Sequence, residues 1–277
     1  MNLTARQQGY TLVELMISVV IGLFIIAGVF QIYLSSRAAS NLQDRMSNVQ
    51  ENGRFALFFL QRSIRKAGFP KSTALNPFTD TPSNATCPMA VTTANCASTP
   101  VGTCNGAGST DSDQIAVCYQ GTQDCLGQPI PASASSGVVA DVFSIKTDTT
   151  TGVSQLMCRG YLNGSPLENG AQTLVDGIVN MQVQYGVDDV PVDGYANVYV
   201  TANNVTNWDR VVAVRVSLLV STNSNAAETA SGAVIGDTAS DAQGYQVLEQ
   251  SLPSTYLSTG VRGRIYTTTI ELRNRTP

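Results

Sequence analysis

GYTLVELMISVVIGLFIIAGVFQIYL, residues 9 to 34, decides how the rest of the chain is read. It holds one charged side chain, Glu14, and no other until Arg37. A helix rising ~1.5 Å per residue crosses a bilayer core in roughly 20 residues, so this run is long enough to span. A carboxylate within such a run is expensive, by ~2.5–3.5 kcal/mol at the helix centre on insertion scales. Either Glu14 sits at the headgroup level of a plain signal anchor, or the charge has a partner.

Gly9-Tyr10-Thr11-Leu12-Val13-Glu14, followed at once by the apolar run, resembles the processing site of type IV pilins and type II secretion pseudopilins. The resemblance implies cleavage after Gly9 by a prepilin peptidase and N-methylation of the new first residue, Tyr10. It also implies that Glu14, the fifth mature residue, is needed for assembly. Most members start the mature chain with Phe, and Tyr10 is a mild departure. Charge balance supports the same role for Glu14. Cleavage would leave an α-amine at Tyr10 among apolar helices, and Glu14, one turn on, can neutralise it within a chain or between chains.

The apolar segment is expected to stay in the mature protein, because no small-residue cleavage site follows it at Leu34–Ser40. The basic residues nearest the span are Arg6 before it and Arg37 and Arg45 after it. That bias is weak and slightly adverse to an outward head, so orientation rests on the resemblance.

With 277 residues there is ample chain for a core beyond the apolar run. Net charge is −4; removing Met1–Gly9 takes Arg6 with it and leaves 15 basic against 20 acidic side chains, or −5. No basic stripe exists to neutralise phosphates, so nucleic acid is not an expected partner. The chain has no histidine, which removes the usual general base, the commonest zinc ligand and any Ser-His hydrolase.

Cys87, Cys96, Cys104, Cys118, Cys125 and Cys158 fall within one 72-residue window, 87 to 158. An even count without a C-x-x-C pair reads as disulfides made in an oxidising compartment, stapling a region poor in apolar residues. Fifteen pairings are open; pairing of neighbours such as Cys87 with Cys96 is one guess.

Small or apolar residues continue the helix beyond the membrane run at Leu42, Met46, Val49, Gly53, Ala56, Leu60, Ile64 and Ala67, in steps of three and four. Gly68 supplies a C-cap, with Arg65 and Lys66 in the last turn and Pro70 beyond. The pattern predicts one helix over 11–67, roughly 85 Å long. Gly22, Gly28 and Gly53 could allow unwinding or close packing. Arg54, Arg62 and Arg65 read as a solvated face, with subunit contact the less favoured use.

Gln50-Glu51-Asn52-Gly53-Arg54-Phe55-Ala56-Leu57 and Ile64-Arg65-Lys66-Ala67-Gly68-Phe69 resemble the PilW-type minor pilins, relatives of the J-type minor pseudopilin of type II secretion. So do residues 209–220 and 264–274, whereas residues 70–170 resemble nothing nameable. After Phe69 a polar stretch reads as irregular to about Thr110. Strands are expected at Asp113–Tyr119, Val138–Lys146, Val153–Leu162, Asp209–Thr222 and Arg262–Arg273, and over Thr173–Tyr185, which could begin as a helical turn. Val212, Val214, Val216, Leu218 and Val220 share one strand face, as do Tyr266, Thr268, Ile270 and Leu272. Asn223–Gln243 reads as an exposed excursion. The fold class expected is α+β and type IV pilin-like: a long N-terminal helix whose C-terminal half packs on an antiparallel sheet. The expected organisation is leader 1–9, membrane and filament stem 10–35, amphipathic helix 36–68 and disulfide-containing head 69–277.

The loop Asp188-Asp189-Val190-Pro191-Val192-Asp193-Gly194 gathers three carboxylates. A solvated turn is the favoured reading, because the spacing departs from that of calcium loops and no bidentate Glu follows. Should the loop bind calcium, Asp188, Asp189 and Asp193 are the ligands. No other cofactor is expected, and Trp208 reads as a packing residue.

The resemblance therefore implies a structural role, not an enzyme: a minor pilin that helps start a type IV pilus within a tip-associated complex. Its partners would be other minor pilins, the major pilin, the prepilin peptidase, a large tip adhesin and the inner membrane. The head would lie in the periplasm before assembly and at the pilus tip after it. Two other readings stand beside it, a J-type pseudopilin of a secretion machine and a membrane-anchored periplasmic binding or hydrolytic domain.

Overall fold

The computed structural model describes residues 11–69, 78, 103–106, 110–130, 138–162, 165–167, 170–222, 244–253, 256–257 and 261–274. One helix, α1, runs Leu12–Ile64, and turns carry the chain on to Gly68, whose φ of +70° is the left-handed cap conformation expected there. The chain divides into two compact units, Met1–Asp44 and Arg45–Pro277.

In the first unit the large apolar side chains from Leu12 to Leu34 are all exposed, and their stretch of α1 reaches a mean hydropathy of 2.6 over 18 residues. A helix apolar all round and exposed on every side among the described residues calls for lipid or other helices as its solvent.

Among the described residues the second unit has eleven strands: β1 Ile115–Gln120, β2 Val138–Thr147, β3 Ser154–Leu162, β4 Ser165–Pro166, β5 Gln172–Asp176, β6 Ile178–Val187, β7 Val198–Val200, β8 Val211–Ser221, β9 Tyr245–Val247, β10 Gln250–Leu252 and β11 Gly263–Glu271. They form two antiparallel sheets and a hairpin rather than one sheet. One sheet runs β1-β2-β3-β4, with β5 also on β3; the other runs β11-β8-β6-β7; β9 pairs with β10. The helical start considered for residue 173 onward is absent. Gly177, at φ +79°, instead turns β5 into β6 and so passes the chain from the first sheet to the second.

Both sheets bury their inner faces on the predicted helical seam. Val49, Ala56, Leu60, Ile64 and Ala67 share one core with Ile115, Phe143 and Leu156 of the first sheet and Met181, Val214 and Leu218 of the second. Asn52 Nδ2 donates to the Asp176 carbonyl at one end of this helical segment (3.0 Å), and Asn274 Nδ2 to the Ala67 carbonyl at the other (3.0 Å). The outer face of β8 is buried too, because Leu219 packs with Tyr245, Val247, Leu252 and Leu257 around the β9–β10 hairpin. Most of the stretch 70–102, and all of 223–243, lie outside the described residues.

Candidate functional site

The predicted assembly residue lies in the first turn of α1. Thr11 is its N-cap: the Thr11 carbonyl accepts from the amides of Glu14 (3.1 Å) and Leu15 (3.2 Å), and Thr11 Oγ1 accepts from the Glu14 amide (3.3 Å). Thr11-x-x-Glu14 is the capping-box spacing, a signal in the sequence that the reading for processing passed over. Glu14 is thus held as the third helical residue, exposed, with its negative charge beside the positive end of the helix dipole. An acid so placed can bind an amine. Gly9 and Tyr10, where cleavage is expected, lie outside the described residues.

Within the head the most buried charge belongs to Asp141 on β2, which is fully shielded. Its Oδ2 accepts from Ser63 Oγ (2.7 Å) and from the Tyr119 hydroxyl (2.9 Å), and its Oδ1 accepts from the Cys125 amide (2.8 Å). Lys66 Nζ donates to the Tyr119 hydroxyl (2.9 Å) and lies 4.1 Å from the centre of that ring. Burial raises the Asp141 carboxyl above its ordinary range despite the Lys66 charge, and burial lowers the Lys66 amine. The cluster joins the last turn of the helix, β1, β2 and a loop, so it is a structural clasp. Sequence reading missed it.

Cys125 and Cys158 form a disulfide that ties the loop after β1 to β3. Cys125 therefore bypasses its sequence neighbour Cys118; Cys104 and Cys118 are also disulfide-bonded. Cys87 and Cys96 lie outside the described residues. Oxidised sulfurs at 125 and 158 are poor metal ligands, although they stand close to the Asp141 carboxylate.

The acidic loop is held by its own backbone. Buried Asp188 accepts from the amides of Asp193 (3.1 Å) and Gly194 (2.9 Å), Asp193 Oδ1 accepts from the Tyr195 amide (3.1 Å), and Asp189 Oδ1 lies 3.5 Å from Arg210 Nη1. Calcium would have to compete with these bonds. Trp208 packs as expected, its ring centre 4.8 Å from Tyr185 and 6.0 Å from Phe78. Arg54, Arg62 and Arg65 are exposed along the helix.

Comparison with family models matches residues 4–30 to the prokaryotic N-terminal methylation motif and residues 142–274 to type IV pilus-assembly protein W. The chain thus carries a PilW domain behind an N-terminal methylation motif. The second match takes in β2 from Val142 onward and all of β3 to β11. A PilW chain is a type IV pilus minor pilin, a structural protein, and its motif and apolar helix go with membrane anchoring followed by incorporation into a pilus. Among solved structures, the type IV-like pilin TTHA1219 from Thermus thermophilus is similar at 13% identity and a TM-score of 0.33, over 60% of this chain and 81% of that one. Comparison with curated proteins gives no match.

Proposed function

We propose that this chain is a minor pilin that prepilin peptidase cuts between Gly9 and Tyr10, that is methylated on Tyr10, and that helps initiate a type IV pilus. Glu14 is the assembly determinant. The observation that carries this reading is the capped helix start, which fixes one acid in the first turn of an otherwise uncharged helical surface, within residues matching the methylation motif. In a bundle of such helices the mature α-amine and Glu14 are partners. Removing one member of such a buried pair typically costs ~3–5 kcal/mol.

On this reading residues 1–9 are the leader, 10–35 the stem, 36–68 the amphipathic half of the helix and 69–277 the head. The head faces the periplasm before assembly, where the Cys125–Cys158 disulfide is at home. The chain then joins other minor pilins, the major pilin and a tip adhesin at the pilus tip, and performs no catalysis of its own.

Intact mass and N-terminal sequencing of protein from native membranes test the processing step: a chain beginning at N-methylated Tyr10 is expected, and one beginning at Met1 would overturn it. Glu14→Ala tests assembly. Membrane insertion should persist while recovery in sheared pili falls at least tenfold, and unchanged recovery would remove Glu14 from the proposal.

A further inference from the structure

The outer face of the second sheet carries a cleft of about 360 Å³ that the pilin role leaves unused. It is lined by Asn105, Gly106, Asp113, Gln182, Thr201, Glu249, Gln250 and Ser251. Every lining residue is polar or glycine, and none is cationic. Its volume falls within the range of small-ligand pockets, whose linings are usually apolar. This lining selects for a polar ligand, since an apolar one would strip hydration from these groups without replacing their hydrogen bonds.

The back wall is hydrogen-bonded. Gln250 Oε1 accepts from Gln182 Nε2 (2.7 Å) and from Asn180 Nδ2 (3.2 Å), and Gln182 Nε2 also lies 2.9 Å from the Asp111 carbonyl. Asp113 is spent on structure, one oxygen accepting from the Gly106 amide and the other from the Val183 amide, both at 2.8 Å. The side wall comes from the β9–β10 turn, where Leu248 adopts φ +53°. That conformation is uncommon for a bulky residue and places Glu249 at the cleft.

What remains free defines the ligand. The amide oxygen of Gln182, a residue 2% exposed, accepts no hydrogen bond from the described residues. Glu249 Oε2 accepts from Gln184 Nε2 (3.0 Å), and the residue's own backbone amide also bears on the carboxyl, so among the described residues it has acceptor capacity to spare. The Thr201 hydroxyl accepts from Asn204 Nδ2 (3.0 Å), so its own proton is available. A calcium ion needs six to eight oxygens and finds too few uncommitted ones. A phosphate, sulfate or carboxylate finds no cation. Hydroxyl groups, which both donate and accept, match two free acceptors and one free donor.

We propose that this cleft binds a neutral saccharide unit, whose hydroxyls donate to Gln182 Oε1 and Glu249 and accept from Thr201. Burial raises the carboxyls of both Asp113 and Glu249, so the cleft carries less negative charge than two exposed acids would.

The test uses the full chain in a zwitterionic, sugar-free detergent and saturation-transfer NMR. The probes are lactose, maltose, N-acetyllactosamine and chitobiose, with sialyllactose and spermidine as anionic and cationic comparisons. Saturation transfer to at least one neutral disaccharide is expected, with affinity at least tenfold weaker in Glu249→Ala and in Thr201→Trp, which fills the opposite wall. The two variants stand on different elements, so misfolding of one leaves the other to decide. Preference for sialyllactose or spermidine, no transfer to any neutral probe, or wild-type affinity in a folded variant would overturn the proposal.

Discussion

Gly53 and Tyr266 give the sharpest test of how the head is packed. Gly53 is buried on α1, and a Cβ placed there would lie 2.6 Å from Cε2, 2.7 Å from Cδ2 and 2.9 Å from Cζ of Tyr266 on β11. The ring rests on the helix backbone itself, and its hydroxyl oxygen is shielded without a hydrogen-bond partner among the described residues. Gly53→Ala therefore has two opposed effects. Alanine favours an internal helical position by ~1 kcal/mol over glycine. Forcing the ring outward costs ~1–3 kcal/mol, the usual range for overpacking. The net expected is a loss of about 1 kcal/mol, near the 2–4 °C shift in Tm typical of a unit this size. The decisive background is Tyr266→Ala, where the obstruction is gone and the same substitution should stabilise by up to ~1 kcal/mol. A sign reversal, with a coupling of about 2 kcal/mol, is thus predicted for the double-mutant cycle. Urea unfolding followed by fluorescence of Trp208, the sole tryptophan and half-buried against core residue Tyr185, reads it directly. Gly53→Ala acting equally in both backgrounds would refute the reasoning, because the ring would then be moving aside freely.

Two further outcomes follow from buried groups. Burial raises the Asp113 carboxyl from 3.8 to about 7. The folded chain then holds a proton that the unfolded chain has lost between those values, so stability is greatest below pH 4, falls as pH rises to 7 and is flat beyond. The full effect is at most about 4 kcal/mol, and burial gives Asp141 the same sign. Asp113→Asn should flatten that slope while costing ~1–3 kcal/mol at pH 5, since its amide nitrogen faces a backbone donor; urea midpoints at pH 4.5 and 7.5 that differ as much as in the wild type would contradict this. Replacing Cys125 and Cys158 together by Ser opens a link across 33 residues, worth about 3–4 kcal/mol on chain entropy. It should lower the urea midpoint accordingly, and a loss below about 1 kcal/mol would show that the loop is held by other contacts.

Much of this was legible in the order of residues. Gly9, Tyr10 and Glu14 stand at fixed offsets before an uncharged run, and the steps of three and four from Val49 to Ala67 name the residues that reach the core. β8 and β11 alternate clearly, and the face predicted for Tyr266, Thr268, Ile270 and Leu272 does turn to the helix: Gln61 Nε2 donates to Thr268 Oγ1 (3.0 Å), and Ile270 and Leu272 are buried. The rest was hidden for identifiable reasons. Thr173–Tyr185 reads as one strand in the sequence, whereas Gly177 makes it a corner between two sheets. The turn Leu248–Glu249 has none of the usual hairpin residues, so β9 and β10 left no local signal. Asn180, Gln182 and Gln184 gain their partners only from the hairpin and from Asp111, far along the chain. Asp141, alone among apolar residues of β2, gains its partner Ser63 only across 78 positions, a separation that no periodicity encodes.

That last contact bears on why the helix sits in one register against the head. An apolar seam spaced by threes and fours resembles itself after a slip of one turn, since Ala56, Leu60 and Ile64 follow one another at intervals of four. Burial of apolar area alone therefore discriminates weakly between registers. The polar contacts do not repeat. A slip would separate Ser63 from Asp141, Asn52 from the Asp176 carbonyl and Gln61 from Thr268. For Asp141 the loss is severe, because an unpaired buried donor or acceptor costs ~1–3 kcal/mol and a charged one more. Raising its pKa is the cost of holding a carboxyl where only one arrangement of the helix satisfies it. The clasp at Ser63, Lys66, Tyr119 and Asp141 thus acts as the index mark, and the hydrophobic seam supplies most of the burial but little of the choice.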